Sequence, residues 1–295
     1  MPRAPVLMGI VNASPESFSD GAAVGGLEEQ VRRALELRDA GAGIVDVGGE
    51  SGVTDRAPVP EDEEIARVVP LVERLAGEGI TVSVDTWKPA VARAAVAAGA
   101  TIVNDVSGLR DSRLADVCAA AGAALVIAHT AAPPKEKAFP GYGDVAAEVV
   151  AFLRERVELA RARGVERIVL DPGPDLAKTP AETVAVLRAL PDVVALGHPV
   201  LLAVSRKDFV GAITSRPPHE RLGGTLAAIG SGLDAGASIL RVHDVAAAAD
   251  YVAVRAALRG EREVAADLRL DPGLRRAVWH PLPAHMTRPD HTKGP

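Results

Sequence analysis

The sequence predicts an α/β fold in which eight parallel strands alternate with helices and close into a (β/α)₈ (TIM) barrel. Short apolar runs alternate with segments of helical periodicity eight times along the chain. The runs are continuously apolar, which is typical of parallel strands covered on both faces. The 295 residues also suffice for one such barrel, which needs about 250. An open, doubly wound sheet is the alternative, but no glycine-rich dinucleotide motif follows the first strand.

Each predicted strand is a short run rich in Val, Ile and Leu that stops at a polar residue. The first run, VLMGIV, ends in the segment NASP, where proline and the polar side chains interrupt the strand. The predicted strands cover residues 6–11, 44–47, 80–84, 101–103, 124–128, 167–170, 200–204 and 238–240.

The intervening segments have helical spacing and recognisable ends. Gly41 and Gly43 end the first helix, and Pro89 stands at an early helical position where proline is tolerated. The segment 131–143 contains three prolines and is predicted to be an irregular loop. The predicted helices cover residues 27–40, 61–75, 88–98, 111–121, 144–163, 180–190, 220–234 and 246–258.

Composition narrows the class of protein. The net charge of −6 argues against a nucleic-acid partner, and no apolar stretch is long enough for a membrane span or a signal peptide. The single cysteine, Cys118, is expected to be an inert buried thiol in a helix, and a cytoplasmic protein is the default expectation. Because the periodicity fades after Gly260, we expect a barrel over 1–260 and a partly irregular extension over 261–295.

The most informative observation is that polar or charged residues follow nearly every predicted strand. In a barrel these positions meet at one mouth. Single residues have structural explanations, since Asp85 suits a helix cap, and Asn12 and Asn104 suit turns. Turn chemistry does not favour lysine, arginine or histidine, however, so the whole set indicates a site. Its members are Asn12, Glu50, Asp85, Asn104, His129, Asp171, Lys207, Arg241 and His243.

The chemistry of these side chains suggests two adjoining subsites. One group offers carboxylates, an amide and an ammonium to a flat polar heterocycle such as an aminopyrimidine; it comprises Asp85, Asn104, Asp171 and Lys207. The other group, Asn12, Arg241 and His243, suits a phosphate or pyrophosphate, with forked hydrogen bonds from Arg241. A Mg²⁺ ion held by few protein oxygens plus phosphate would fit the second subsite, with Asn12 as its protein ligand.

Seven motifs resemble those of the dihydropteroate synthase family, in the family's order, from about Leu7 to Val245. They are MGIVNASPESFSDG, IVDVGGES, VSVDTWKP, IVNDVSG, IVLDPG with AKT, AVSRKDFVGAI and ILRVHDV. The resemblance implies a (β/α)₈ barrel that condenses 6-hydroxymethyl-7,8-dihydropterin pyrophosphate with p-aminobenzoate. The products would be 7,8-dihydropteroate and pyrophosphate, in folate biosynthesis. The resemblance also implies a homodimer. The apolar residues of 222–233 and 251–258 are candidates for its interface, or equally for ordinary surfaces that face the barrel.

The resemblance assigns roles to residues of this chain. The pterin would contact Asp85, Asn104, Asp171 and Lys207. The pyrophosphate and the metal would contact Asn12, Arg241 and His243, with Asn12 as the metal ligand. The implied mechanism is a dissociative displacement, with Asp85, Asp171, Lys207 and His243 as catalytic residues and Mg²⁺ as cofactor.

Several positions depart from the family pattern. The usual Thr-Arg-Pro-Gly after GGES is Gly52-Val53-Thr54-Asp55, and the usual Met after His129 is Thr130. The usual Gly-Phe-Gly-Lys or Gly-Phe-Ala-Lys run is Asp175-Leu176-Ala177-Lys178, so that Leu176 replaces the aromatic wall expected beside p-aminobenzoate. Asp208 stands where a serine usually meets the arylamine carboxylate, and two carboxylates would repel each other.

Three hypotheses follow for the function. The first is a working synthase with a rebuilt arylamine site, in which Asp208 turns away. The second is a divergent paralogue that binds the pterin pyrophosphate but has lost or changed its arylamine acceptor. The third is a pterin-binding barrel of the methyltransferase type, against which the anion-binding pair Arg241 and His243 argues, because methyl transfer involves no pyrophosphate.

Overall fold

The computed structural model describes residues 4–13, 26–51, 54 and 57–274. Residues 14–21 of the first predicted loop, the departures at Gly52, Val53 and Asp55, and the tail 279–295 lie outside the described residues. The strands are β1 (Val6–Asn12), β2 (Ile44–Gly48), β3 (Val82–Asp85), β4 (Ile102–Asp105), β5 (Ala124–Ala128), β6 (Ile168–Asp171), β7 (Leu201–Leu202) and β8 (Ile239–Val242).

All strand pairs are parallel, and the order around the wall is β6-β5-β4-β3-β2-β1-β8-β7. A single parallel bridge between Leu170 and Val200 joins β6 to the segment that precedes β7. The predicted eight-stranded parallel barrel is therefore confirmed, and the open sheet is wrong.

The helices occupy the outside of this wall. They are α1 (Leu27–Asp39), α2 (Glu61–Gly77), α3 (Pro89–Ala97), α4 (Arg113–Ala121), α5 (Val145–Ala162), α6 (Pro180–Arg188), α7 (Leu190–Val194), α8 (Asp208–Thr214), α9 (Leu222–Asp234) and α10 (Val245–Leu258). The eight predicted helices are present within a few residues of their expected ends, and the proline-rich segment 131–143 contains no helix or strand.

Three details of the second half of the barrel differ from the prediction. The predicted helix 180–190 ends at Arg188, and a separate short helix, α7, follows with Pro191 in its first turn. The seven-residue helix α8 lies in a stretch for which the sequence predicts no element, because two turns are too short to show periodicity. The strand predicted over 200–204 pairs as β7 over only two residues.

Two apolar layers hold the barrel together. The larger core lies between the strands and the surrounding helices, where Val47, Leu71 and Leu125 are fully buried. Inside the barrel a smaller cluster fills the floor; its buried members are Met8, Ile44, Val126, Val169, Leu201 and Ala203. Because side chains alternate between the two faces of a strand, Asp46 lies on the same face as Ile44, and Arg241 on the same face as Ile239. Polar residues therefore lie inside the barrel just beyond this small apolar floor, towards the carboxyl ends of the strands.

Other expectations concern single features. Cys118 is fully buried in α4, and burial raises the pKa of its thiol to about 12, so it stays protonated as expected. Among the helices of the described residues, none is long and apolar enough to cross a membrane. The last barrel helix ends at Leu258, and the described residues after Gly260 contain one short 3₁₀ turn, Pro272–Leu274. The domain boundary near residue 260 stays a prediction.

Candidate active site

An ion-paired cluster lies at the carboxyl ends of the strands on one side of the barrel. The guanidinium of Arg241 donates through Nε to Oδ2 of Asp46 (2.6 Å) and through Nη2 to Oδ2 of Asp85 (2.7 Å). The amide Nδ2 of Asn104 donates to the same Asp46 oxygen at 3.0 Å. The cluster joins four different strands, with Arg241 as its centre.

Strand register explains why these side chains meet. Asp85 pairs with Gly48 on one neighbouring strand and with Asn104 on the other, so the end of β3 lies between β2 and β4. Asp46 is two residues before Gly48 and shares its face of β2. Asp46 and Asp85 therefore lie on the same face of adjacent strands, where one guanidinium reaches both carboxylates.

The charges in this cluster do not cancel, because two carboxylates share one guanidinium. Burial raises the pKa of Asp85 above its ordinary value; Arg241 opposes this effect, and the neighbouring charge of Asp46 adds to it. Burial acts against the charge of Arg241, but Asp46 and Asp85 outweigh it and raise the pKa of the guanidinium. Asp46 is fully buried, and among the described residues no donor reaches its Oδ1. The site thus holds excess acceptor capacity for a ligand with several N–H groups.

Asp171, the last residue of β6, and Lys207, the residue before α8, lie across the mouth from this cluster. Oδ1 of Asp171 accepts the backbone N–H of Gly173 at 2.8 Å. Burial raises the pKa of Asp171, while that N–H group and the charge of Lys207 act in the opposite direction. Burial lowers the pKa of Lys207, and the carboxylates of Asp175 and Asp171 oppose the change. In this poorly solvated site, the charge of each side chain therefore favours the ionised form of the other.

His243 follows β8 and packs on the segment after β7. Its ring Nδ1 lies 3.0 Å from the hydroxyl of Ser205, and its backbone N–H donates to the same oxygen at 3.2 Å. Burial and the nearby Arg206 and Arg241 lower the pKa of His243 to about 4. The ring is therefore neutral at neutral pH, and it can act as a hydrogen-bond donor to an anion but not as a cation.

Asn12, the predicted metal ligand, is the last residue of β1 and is exposed. Its Oδ1 lies over Gly48, 3.9 Å from the position a Cβ would take there. The amide oxygen of Asn12 is thus available at the mouth, beside the strand that carries Asp46.

The predicted arylamine residues have different surroundings. Leu176 is half-buried, and its backbone carbonyl accepts a hydrogen bond from the buried Nζ of Lys178. The side chain of Asp208 is 88% exposed, and its Oδ1 accepts from Nη1 of Arg221 at 2.9 Å. The carboxylate that raised the question of repulsion is therefore turned towards solvent and neutralised by an arginine.

The loop after β6 is built around a buried lysine. Nζ of Lys178 lies 2.8 Å from Nδ1 of His129 and donates to the carbonyls of Gly173 (2.9 Å) and Leu176 (3.1 Å). Burial lowers the pKa of Lys178 to about 7, and burial together with Lys178 lowers that of His129 to about 3. Gly173 has φ +65°, and a Cβ there would meet the His129 carbonyl oxygen at 2.0 Å, so only glycine fits. His129, predicted at a strand end, thus supports the loop as a neutral ring.

Glu50 also follows a strand, but it belongs to a buried ion-pair network beside the mouth. Its Oε2 lies 2.7 Å from Nζ of Lys88, which also contacts Oε2 of Glu64 and the carbonyl of Val59, each at 2.6 Å. Its Oε1 lies 3.0 Å from Nζ of Lys135 in the loop after β5. Glu50 therefore connects three loops through buried ion pairs.

Sequence reasoning missed four residues that organise the site: Asp46, Asp175, Lys178 and Ser205. Asp46 had a usable signal, since a charged residue inside the apolar run IVDVG of a doubly covered strand requires a partner. The others act through loop conformations that the sequence does not reveal. In the structure Arg241 contacts Asp85 directly, and Asp46 links Arg241 to Asn104. The individual roles predicted for these residues stay predictions.

Comparison with known proteins gives consistent matches. The family model described as "Pterin binding enzyme" matches residues 8–243. The dihydropteroate synthase of Bacillus subtilis (strain 168) is 42% identical over 244 residues, covering 81% of this chain and 84% of that protein. That of Mycobacterium leprae (strain TN) is 44% identical over 268 residues, covering 86% and 94%. The solved structure of Xanthomonas albilineans dihydropteroate synthase with 4-aminobenzoic acid superposes with a TM-score of 0.82 at 42% identity, covering 86% and 93%.

Proposed function

The chain belongs to the family of pterin binding enzymes, and on that premise we propose that it is a dihydropteroate synthase. The enzyme joins the methylene carbon of 6-hydroxymethyl-7,8-dihydropterin pyrophosphate to the nitrogen of p-aminobenzoate, giving 7,8-dihydropteroate and pyrophosphate. The observation that carries this proposal is the ion-paired, partly buried cluster of Asp46, Asp85, Asn104 and Arg241 at the barrel mouth, in a chain that matches the family over residues 8–243.

The pterin subsite consists of Asp85, Asn104, Asp171 and Lys207. An aminopyrimidine edge presents N–H donors beside acceptors, and buried carboxylates with an amide and an ammonium match that alternation. Burial raises the pKa of Asp85 and of Asp171, and N–H groups of a bound pterin would oppose this effect by donating hydrogen bonds to the carboxylates. Ligand binding thereby favours the ionised form of both side chains.

The pyrophosphate subsite consists of Asn12, Arg241 and His243. As the C–O bond breaks, its electron pair leaves with the pyrophosphate, and the pterin methylene becomes cationic. Arg241 and the neutral ring of His243 stabilise the growing negative charge, while the Asp85 and Asp171 carboxylates stabilise the cation. The arylamine nitrogen then attacks the methylene carbon and loses a proton, and no covalent bond to the protein is required.

Mg²⁺ fits this subsite as an ion that the substrate helps to hold. The described residues contain no cluster of three or more His, Cys, Asp or Glu that would form a protein cage for a metal. The amide oxygen of Asn12 is one hard ligand of the kind Mg²⁺ accepts, and phosphate oxygens and water are its usual further ligands. When bound there, the ion would neutralise charge on the leaving pyrophosphate.

The arylamine subsite lies beside Leu176 and the start of α8. The pairing of Asp208 with Arg221 supports the hypothesis of a working synthase, since the carboxylate does not have to face the carboxylate of p-aminobenzoate. Leu176 provides an apolar wall in place of an aromatic one. The structure of the Xanthomonas albilineans relative with 4-aminobenzoic acid supports the same acceptor here.

The proposal also covers the oligomeric state and the cellular location of the protein. Leu222 of α9, and Val254 and Leu258 of α10, are exposed large apolar side chains, and we propose that these helices form a homodimer interface. The single free, buried cysteine suits a reducing compartment, which supports a cytoplasmic location.

The decisive experiment measures pyrophosphate release and dihydropteroate formation with Mg²⁺, the pterin pyrophosphate and p-aminobenzoate. We expect both products in equal amounts, and a strong loss of release when p-aminobenzoate is omitted. Pterin pyrophosphate binding without product at saturating p-aminobenzoate would instead establish the divergent paralogue. Loss of activity with a chelator and recovery with Mg²⁺ would test the cofactor separately.

A further inference from the structure

Asp175 lies in the loop after β6, between Asp171 at the end of that strand and the start of α8, which Lys207 precedes. It has φ +60°, a left-handed conformation that aspartate tolerates better than most residues. The family to which the motifs point usually has glycine here. A carboxylate at this position is therefore a property of this chain that the conserved chemistry of the reaction does not explain.

The side chain of Asp175 is held firmly. Its Oδ1 accepts the hydroxyl hydrogen of Thr183 at 3.0 Å, and its backbone N–H donates to the same hydroxyl oxygen at 3.0 Å. Thr183 is fully buried in α6. The second carboxylate oxygen, Oδ2, accepts the backbone N–H of Phe209 at 3.2 Å. Asp175 thus joins α6 to the first turn of α8, where Lys207 is the residue before the helix.

The charges around Lys207 come from several elements. Burial lowers the pKa of Lys207, and among the neighbouring charges the Asp175 carboxylate opposes this decrease most strongly, ahead of Asp171. Asp208 belongs to the same group but is turned towards Arg221. The titratable and charged groups that interact with Lys207 are Asp175 and Lys178 in the loop after β6, Asp171 on β6, Asp208 on α8, Arg241 on β8 and His243 after β8.

We propose that Asp175 is a positioning residue for Lys207: it fixes the first turn of α8 through the backbone N–H of Phe209, and its negative charge supports the ammonium of Lys207. The role of the ammonium in pterin binding rests on the proposed function, whereas the coupling of the two side chains does not. Without Asp175, Lys207 would face Arg241 and Lys178 with Asp171 as its main remaining counter-charge.

The direct test is the titration of Lys207 in protein labelled with ¹³C at lysine Cε, with the signal assigned through Lys207→Arg. Asp175→Asn keeps the shape of the side chain but removes its charge, and it should lower the pKa of Lys207 by about 1 or more. Asp175→Gly accepts φ +60° without strain and should lower this pKa in the same direction. If Lys207 titrates as in the wild type in both variants, the proposal is overturned.

Matched variants separate charge from scaffold. Thr183→Val removes the hydroxyl that anchors Asp175 but keeps the carboxylate, so it should lower the pKa of Lys207 less than Asp175→Asn does. Asp208→Asn removes a carboxylate that Arg221 already neutralises, and it should change this pKa least. An equal shift from Asp208→Asn would mean that general charge density, and not Asp175, controls Lys207.

Kinetics then link the coupling to the reaction. In Asp175→Asn the loss of kcat/KM at high pH should begin at lower pH than in the wild type, with KM for the pterin pyrophosphate rising more than kcat falls. A merely structural defect would lower activity without moving the pH profile, which would overturn the proposal. If the wild type makes no dihydropteroate while the Lys207 titration still responds to Asp175, the proposed function fails and the coupling stands.

Discussion

The two halves of the candidate site are built differently. One, the strand half, consists of Asp46, Asp85, Asn104 and Arg241, which come from β2, β3, β4 and β8 and are hydrogen-bonded to one another across the barrel mouth. The other, the loop half, consists of Asp175, Leu176, Lys178, Lys207 and Asp208, which belong to the loops after β6 and β7 and to the start of α8. Strand register places the first group, whereas side chain-to-backbone bonds and residues with positive φ place the second.

The strand half is therefore the more rigid part of the site, and the loop half is the part that can change more easily. A strand side chain keeps its place when its neighbours change, because ladder hydrogen bonds hold the backbone. A loop side chain depends on a few local contacts, such as those of Lys178 with three carbonyl groups. The departures from the family pattern in the described residues of the site accordingly fall in loops and at a helix start, while the strand half matches the family motifs.

The largest expected effect comes from removing the centre of the strand half. Arg241→Met leaves Asp46 and Asp85 buried without their shared counter-charge, and the free energy of unfolding should fall by about 3–5 kcal/mol. Denaturant unfolding measures this loss. The double variant Arg241→Met with Asp46→Asn should recover part of it, and a single variant as stable as the wild type would show that the strand half does not depend on this ion pair.

Asp85→Asn should act mainly on activity. The Arg241–Asp46 pair survives, so we expect a small change in stability but about a thousandfold lower kcat/KM, equivalent to about 4 kcal/mol. Steady-state kinetics and unfolding on the same preparation distinguish the two effects. Full activity would show that the reaction does not depend on the Asp85 carboxylate.

The loop half should respond to pH through Lys178. The pKa of Lys178 is about 7 in the folded protein, below its value of about 10.4 in the unfolded chain, so the unfolded chain binds the extra proton between these values. Stability from this residue therefore rises with pH above 7, by at most about 1.4 kcal/mol per pH unit, and is lost as pH falls towards 7.

Unfolding measurements at pH 7 and pH 9 check this sign. Lys178→Met should flatten the increase, whereas the same substitution at the exposed Lys137 should leave it unchanged. A steeper increase in Lys178→Met would contradict the direction of the shift.

A smaller gain is expected from restoring the aromatic wall. Leu176→Phe should tighten p-aminobenzoate binding by about 2- to 10-fold, because an aromatic pair contributes about 0.5–1.5 kcal/mol. Calorimetric titration in the presence of pyrophosphate measures this change, and the affinity for the pterin serves as the unaffected reference. Weaker binding of p-aminobenzoate would mean that the loop cannot accommodate the ring.

The smallest effect belongs to Asp208→Ser. The sequence predicted tighter arylamine binding through relief of repulsion, but the carboxylate is exposed and paired with Arg221, so the dissociation constant of p-aminobenzoate should change by less than about threefold. A tenfold gain in affinity would show that Asp208 faces the ligand in the complex.

The contrast between the strand half and the loop half also explains which residues could be predicted from the sequence. The eight strand–helix units and the residues that end the strands follow from apolar runs and their polar ends, so Asp85 and Asn104 could be predicted to lie together. Asp46 was overlooked because it is inside a run and not at its end. The position of Asp175, the outward turn of Asp208 and helix α8 depend on backbone conformations that only the packed loops determine.

The short pairing of β7 has a consequence for how the molecule opens. Two residues of β7 pair with β8, and one bridge joins this region to β6. The cylinder consequently has a seam with fewer interstrand bonds than its other contacts, and the segment bearing Lys207 continues directly from it. Amide protons along this seam should exchange with deuterium earlier than those of β2 and β3, so that transient opening of the seam exposes the loop half of the site while the strand half stays folded.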